Sequence, residues 1–348
     1  MTKRTRLFVL SAAGILVVGL GTGLVASYMG GFQNFVVIGS DGPDELAYLP
    51  DDARLVAFAN VREVMDSELR QKLEELHPRG GADRFQEETG IDVATDIDRV
   101  IAALSDSESE AERPLIIARG RFDEVRIEGL IRQKGGSVEE YSGMRLLTHP
   151  DGNIGISFVE PGLVAVGSPA SVRRALDTKA GRLANVTTNA ELMRFVRDVS
   201  DGNAWTVARF DALAGRGQLT SDLANQLPAI NWLTARGYVN GGVRGTVSAE
   251  TRDEAAAQDL RDVIQGFMVL ARMQAGQNPE LTDLINSLQL GGSGTVVSLA
   301  FSVPVSVLDT LGAFTAPRFR ERGQDPDGLA RPSLPPPART PERPAPSL

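Results

Sequence analysis

The stretch VEEYSGMRLLTHPDGNIGISFVEPGLVAV, residues 138–166, decides the fold. Turn signals cut it into short runs. Ser142-Gly143 separates 138–141 from 144–148, and Pro150-Asp151-Gly152 separates that run from 154–160. Pro161-Gly162 then separates 154–160 from 163–166. Pro presets φ for the second turn position, and Gly supplies positive φ at the third. The runs are too short for helices and are rich in Val, Ile, Leu and Phe. The spacing therefore predicts a β-meander of antiparallel strands.

Upstream, residues 54–59 read as a strand, and Asn60 with Glu63 forms a capping box for a helix. Val61, Met65, Leu69, Leu73 and Leu76 make its apolar stripe, and His77-Pro78 ends it. Residues 113–119 hold a buried strand. Asp123 caps the next helix, which buries Ile127, Leu130 and Ile131 and stops at Gly135-Gly136.

Downstream of the meander, Ser168-Pro169 opens a helix that Gly181 closes, with Ser as cap and Pro at the first helical position. Thr188 and Glu191 read as a capping box before the face Leu192, Phe195, Val196 and Val199. Residues 205–210 read as a strand. Asn240-Gly241-Gly242 joins 235–239 to 243–249 as a hairpin. Thr251 and Glu254 form another capping box. The helix after it has the clearest 3.6-residue period, with Leu260, Val263, Ile264, Phe267, Met268 and Ala271 on one stripe. Asn278-Pro279 starts a shorter helix with Leu281, Leu284, Ile285 and Leu288 inward. Residues 294–303 read as a long strand and 304–314 as a final helix.

Hairpins dominate and helices punctuate them. The expected class is α+β, a mostly antiparallel sheet with packed helices, rather than a doubly wound parallel sheet. The region 53–181 and the region 182–316 use the same vocabulary of strand, helix and hairpin. That allows a duplicated architecture of two similar halves, although the halves do not align residue by residue.

The ends differ from the middle. Lys3, Arg4 and Arg6 precede an uninterrupted apolar run over 7–29. As a helix it is about 35 Å long, enough for a hydrocarbon core of about 30 Å. No Lys or Arg follows until Arg54, while Asp41, Asp44, Glu45, Asp51 and Asp52 do. The charge bias puts residues 1–6 in the cytoplasm and the remainder outside. The expectation is a single-pass signal anchor in the cytoplasmic (inner) membrane, with the main domain in the periplasm or extracytoplasmic space. A cleaved signal peptide is the competing reading, with Val25 and Ser27 before the cut. Residues 30–52 read as a linker, and 317–348 as a disordered Pro/Arg-rich tail around Leu334-Pro335-Pro336-Pro337.

Composition excludes several function classes. The chain of 348 residues has no cysteine, so disulfides, Cys-zinc sites and thiol catalysis are ruled out. With only His77 and His149, a His-rich metal site is ruled out too. A net charge of −9 argues against nucleic acid as a partner.

Each remaining candidate site has a plainer reading. Ser157 sits in Gly155-Ile156-Ser157-Phe158-Val159, which fails the nucleophile-elbow pattern at its last position. His149, at a turn beside Pro150, lacks an assignable nucleophile and orienting acid. His77 reads as a helix-end residue. Asp106, Glu108 and Glu110 alternate as a calcium loop can, but without the EF-hand pattern. Gly291-Gly292-Ser293-Gly294 has no Walker lysine and precedes a strand. No catalytic, cofactor-binding or metal-ligating residue is assigned, and no cofactor is expected.

The run Glu45-Leu46-Ala47-Tyr48-Leu49-Pro50-Asp51-Asp52-Ala53 resembles the opening of uncharacterised bacterial membrane-anchored envelope proteins. Those families place a Leu-Pro-acidic-small turn before a first strand and helix. The resemblance implies membrane attachment, no assigned activity and no catalytic residue. The expectation is a non-catalytic extracytoplasmic module that binds another envelope component, with an envelope protein as its partner. One alternative is a binder of lipid or another apolar ligand, with Phe267, Met268, Leu270 and Met273 lining a pocket between sheet and helix. The other is an extracytoplasmic hydrolase.

Overall fold

The computed structural model describes residues 42–65, 67, 91–105, 114–214, 228–239, 242–275 and 279–304. The expected span at 7–29, His77, the acidic run 106–110, Asn240-Gly241, the last helix beyond 304 and the tail 317–348 lie outside these residues. Among the described residues, no helix is long and apolar enough to cross a membrane.

The chain enters through a 3-10 turn, Asp44–Tyr48. The end of the stretch read as a linker is thus part of the core, because Leu46, Tyr48 and Leu49 are buried. Strand β1 (Ala53–Ala59) follows. Asn60 caps α1 (Val61–Met65): its Oδ1 accepts from Glu63 N at 3.4 Å, and its Nδ2 donates back to Glu63 Oε1 at 3.0 Å. A single-turn α2 (Val93–Asp96) leads into β2 (Ile97–Ser105), a strand with no sequence expectation behind it. Then come β3 (Leu115–Gly120) and α3 (Glu124–Gln133), capped by Asp123 as expected.

The meander is β4 (Ser137–Tyr141), β5 (Met144–Thr148), β6 (Gly155–Glu160) and β7 (Leu163–Gly167). Ser142 and Gly143 both take positive φ, 57° and 78°, the twist a tight hairpin needs. Helix α4 (Pro169–Lys179) has Ser168 as cap and Pro169 at its start.

The second half runs α5 (Ala190–Val199), β8 (Ala204–Arg209), α6 (Phe210–Ala214), β9 (Ile230–Val239) and β10 (Gly242–Thr251). Next come α7 (Glu254–Ala275), α8 (Pro279–Ser287), β11 (Gln289–Gly291) and β12 (Val296–Pro304). Two expected caps move. Thr188 ends a 3-10 turn, so Asn189 caps α5 and accepts from Leu192 N at 3.1 Å. Asp253 caps α7, accepting from Ala256 N at 2.8 Å. Thr251 instead spends its hydroxyl on the carbonyls of Asp253 and Thr295.

The described strands form one 12-stranded sheet in the order β11-β12-β10-β9-β8-β1-β2-β3-β7-β6-β5-β4. Every pairing is antiparallel. The fold is α+β with a large antiparallel sheet. The regions 53–181 and 182–304 are joined side by side in it through β1 and β8.

Alternation along β2 separates the faces. Ile101 and Ala103 pack with the 3-10 turn, α4 and α5, while Val100 and Ala102 pack with α1 and α3. On the α3 side of the second half, α7 lays Ala257, Leu260 and Ile264 over Leu233, Ala249 and Val297. Phe58 and Trp205 stack across the β1–β8 pair, with ring centroids 5.5 Å apart.

Candidate functional site

Two places in the molecule concentrate chemistry or exposed apolar surface. The first begins with an electrostatic conflict. Arg99 on β2 and Arg119 on β3 are direct cross-strand partners, an arrangement that like charges disfavour. Glu45, on the 3-10 turn and only 1% exposed, resolves it. Its Oε1 accepts from Arg99 Nε at 2.9 Å and from Arg119 Nε at 2.5 Å. Burial works against the Arg119 cation, yet the hydrogen bond and charge of Glu45 hold its pKa above the ordinary value.

Beside this pair, Tyr48 donates its hydroxyl to Glu160 Oε1 at 2.6 Å. Lys179 Nζ reaches the same oxygen at 2.8 Å and lies 4.6 Å from the centre of the Tyr48 ring. Burial, then the hydrogen bond to Glu160, pushes the Tyr48 phenol up to about 12. The hydrogen bond from Lys179, then that from Tyr48, holds Glu160 below the usual carboxylate range. The hydrogen bond to Glu160 likewise raises Lys179. These shifts keep Tyr48 protonated, Glu160 ionised and Lys179 charged at neutral pH. A general acid or base needs a pKa near the working pH, and these groups are driven away from it. The cluster clamps the 3-10 turn and α4 to the sheet.

The sequence candidates do not assemble. Ser157 is fully buried in β6, and its Cα partner on β5 is Leu146. His149 is three positions along the chain from Leu146, about 10 Å at strand spacing. The His149 Nδ1 lies 3.0 Å from the Asp151 carboxylate at the turn. Gly291–Gly294 leads from β11 into β12 through positive-φ glycines at 292 and 294, so no helix N-terminus is available for phosphate.

The second place is α7. Its N-terminal half shows Asp259 and Asp262 to solvent. Its C-terminal half shows Phe267 (38% exposed), Val269 (53%), Leu270 (43%) and Met273 (77%). A groove of about 430 Å³ runs between this half and β11, lined by Arg261, Gln265, Met268, Arg272 and Leu290 among others. The Arg261 guanidinium donates to Gly294 O at 3.2 Å and Val296 O at 3.0 Å, holding the helix against the turn. Of the apolar residues expected to line a pocket, only Met268 does so. Leu270 and Met273 turn away from the core-facing stripe of Ala257, Leu260 and Ile264, whereas Phe267 keeps the phase of Leu260 seven residues earlier and is exposed all the same.

No family model matches the chain, and no curated protein matches it. Among solved structures, crystal form III of TP0453 aligns at 12% identity with a TM-score of 0.48, over 78% of this chain and 98% of that chain. Crystal form I of TP0453 aligns at 10% identity with a TM-score of 0.47, over 78% and 97%.

Proposed function

We propose that this chain is a non-catalytic module, tethered by residues 7–29 to the cytoplasmic membrane with its folded unit on the outer side. We propose further that it binds another envelope component through the C-terminal half of α7. The single observation that carries the reading is the exposure of Phe267, Val269, Leu270 and Met273 on one helix. Contiguous exposed apolar surface of this kind marks contact sites. The ionic cluster supports the non-catalytic part, since its groups are paired with one another and Tyr48, Glu160 and Lys179 are held away from neutral pKa values.

A second reading, a lipid or other apolar ligand held in the protein, rests on the groove beside Met268 and Leu290, whose volume suits a small ligand. We also read the two halves of the sheet as copies of one unit. Outward from the β1–β8 pair, each half runs through three consecutive strands, jumps to its last strand and then steps back, with seven strands in the first half and five in the second.

A photo-reactive residue placed at Leu270 of the full chain in cells tests the contact, with Val125 (82% exposed, on α3) as control. The expected result is a reproducible adduct at 270 and none at 125. Equal labelling at both sites overturns the reading. A parallel version ending at Ala316 shows whether the Pro/Arg tail contributes to the same adduct.

A further inference from the structure

The outward face of α7 changes character along its length. Helical phase places Asp259, Asp262, Val269, Leu270 and Met273 on the same outer half of the helix. The first two are acidic and the others apolar. Beyond Asp262, the helix carries no charge except Arg272. Its last turns thus carry apolar residues on the core side and on the outer side, with Gln265 and Arg272 on the flank beside the groove. An apolar outer stripe beside a polar flank suits a helix lying in a membrane interface, and here Val269, Leu270 and Met273 stay exposed.

We infer that the C-terminal half of α7 lies on the outer leaflet of the membrane that residues 7–29 span. Val269, Leu270 and Met273 enter the acyl boundary, and Arg272 reaches the lipid phosphates. The inference rests on the function proposed above and names the component contacted. Charge complementarity supports it. An anionic leaflet attracts a face that has lost its acids and kept an arginine, and a long Arg side chain can reach the headgroups while its stem stays apolar.

The tether supports it as well. The chain from Met29 to Gly42 reaches at most about 45 Å, so the folded unit stays beside the bilayer. A weak surface contact then becomes an intramolecular one at high effective concentration. A second copy of the chain is a poorer occupant. A stripe about three turns long falls well short of the roughly 800 Å² per partner that stable protein interfaces bury.

The absence of cysteine makes a clean test available. The full chain is reconstituted in phosphatidylcholine vesicles, with and without about one-third phosphatidylglycerol as the anionic component. Single variants L270C and M273C, with V125C and D259C as controls, carry an environment-sensitive fluorophore, and the lipids carry a nitroxide quencher. The expected result is quenching at 270 and 273 several-fold above that at 125 and 259, stronger on anionic vesicles, and reduced there by Arg272→Gln.

Equal quenching at all four positions on both vesicle types overturns the bilayer contact. If position 270 nevertheless forms a protein adduct in cells, the proposed function stands and only its lipid partner fails. If neither signal appears, both fail. Quenching at 270 and 273 that ignores lipid charge overturns the role given to Arg272.

Discussion

Helices α3 and α7 hold the same place in the two halves of the sheet. Each follows the third strand counted outward from the β1–β8 pair, and each covers the same face. Helix α3 has 10 residues and buries Ile127 and Ile131. Helix α7 has 22 residues, and its fully buried positions, Ala256, Ala257 and Leu260, all fall in its first turns. The portion of α7 that matches α3 in length is the portion that builds core. The excess, beyond Ile264, is where the outward apolar residues gather. Core packing explains a short helix in both halves, and the added turns need another cause.

The largest expected effect tests whether the halves are one body. Trp205 is 1% exposed and stacks on Phe58 at the seam. Trp205→Ala removes that contact and leaves a cavity, and is expected to lower stability by about 4 kcal/mol. Chemical denaturation followed by circular dichroism should still show one transition, at lower denaturant. Two resolved transitions would mean that the halves fold separately, and the comparison would become one between two domains.

The next effect belongs to the first half alone. Arg99 faces Arg119 there, whereas the pairs between β9 and β10 include Arg236 with Thr246 and no two arginines. Only the first half needs a buried acid. Glu45→Gln keeps the shape and removes the charge, leaving two opposed guanidinium groups. A loss of about 3 kcal/mol is expected. An unchanged denaturation midpoint would show that solvent at the partly exposed arginines already screens them, and that Glu45 is dispensable.

Alkaline pH probes the same cluster with a fixed sign. Tyr48 is raised from 10.0 to about 12 when folded, so between those values the unfolded chain gives up a proton that the folded chain keeps. Stability must fall as pH rises through that window. The raised Lys179 adds to the loss in the same direction. Glu160, lowered by its partners, acts at the other end: its contribution is present above the ordinary carboxylate pKa and is lost as pH falls through its folded value. Tyr48→Phe should flatten the alkaline loss of melting temperature. An unflattened curve would place the alkaline weakness elsewhere.

The legible parts of the fold share one property, local chemistry. Ser142-Gly143, Pro150-Asp151-Gly152 and Pro161-Gly162 announce the meander because each turn is decided by residues adjacent in sequence. Strand β2 lacked such a signal. It is buried on both faces at its centre, Val100, Ile101, Ala102 and Ala103, so no polar alternation marks it. The caps were misplaced by one or two residues because Thr188-Asn189 and Thr251–Asp253 each offer several capping side chains, and the 3-10 turn and the Thr295 carbonyl choose among them. The ionic cluster was invisible because Glu45 lies 54 and 74 positions from its arginines. The apolar positions of α7 were legible, but their division between core and exterior was not. Periodicity reports that a stripe exists, and a helix apolar on both sides carries two.

The smallest expected effect on stability is the one that separates those two stripes. Leu270 is 43% exposed, against 4% for Leu260 on the core side of the same helix. If Leu270 served packing, Leu270→Ser would cost a few kcal/mol, as loss of a buried leucine does. If it serves contact with something outside the fold, the change should stay within about 0.5 kcal/mol, because serine at that site meets only solvent in the isolated protein. Thermal melts of the purified protein distinguish the two. A near-zero shift, combined with loss of the cellular adduct formed by a photo-reactive residue placed at neighbouring Met273, would assign the added turns of α7 to binding. A large shift would make α7 a longer version of α3 and remove the reason to treat the second half as the functional one.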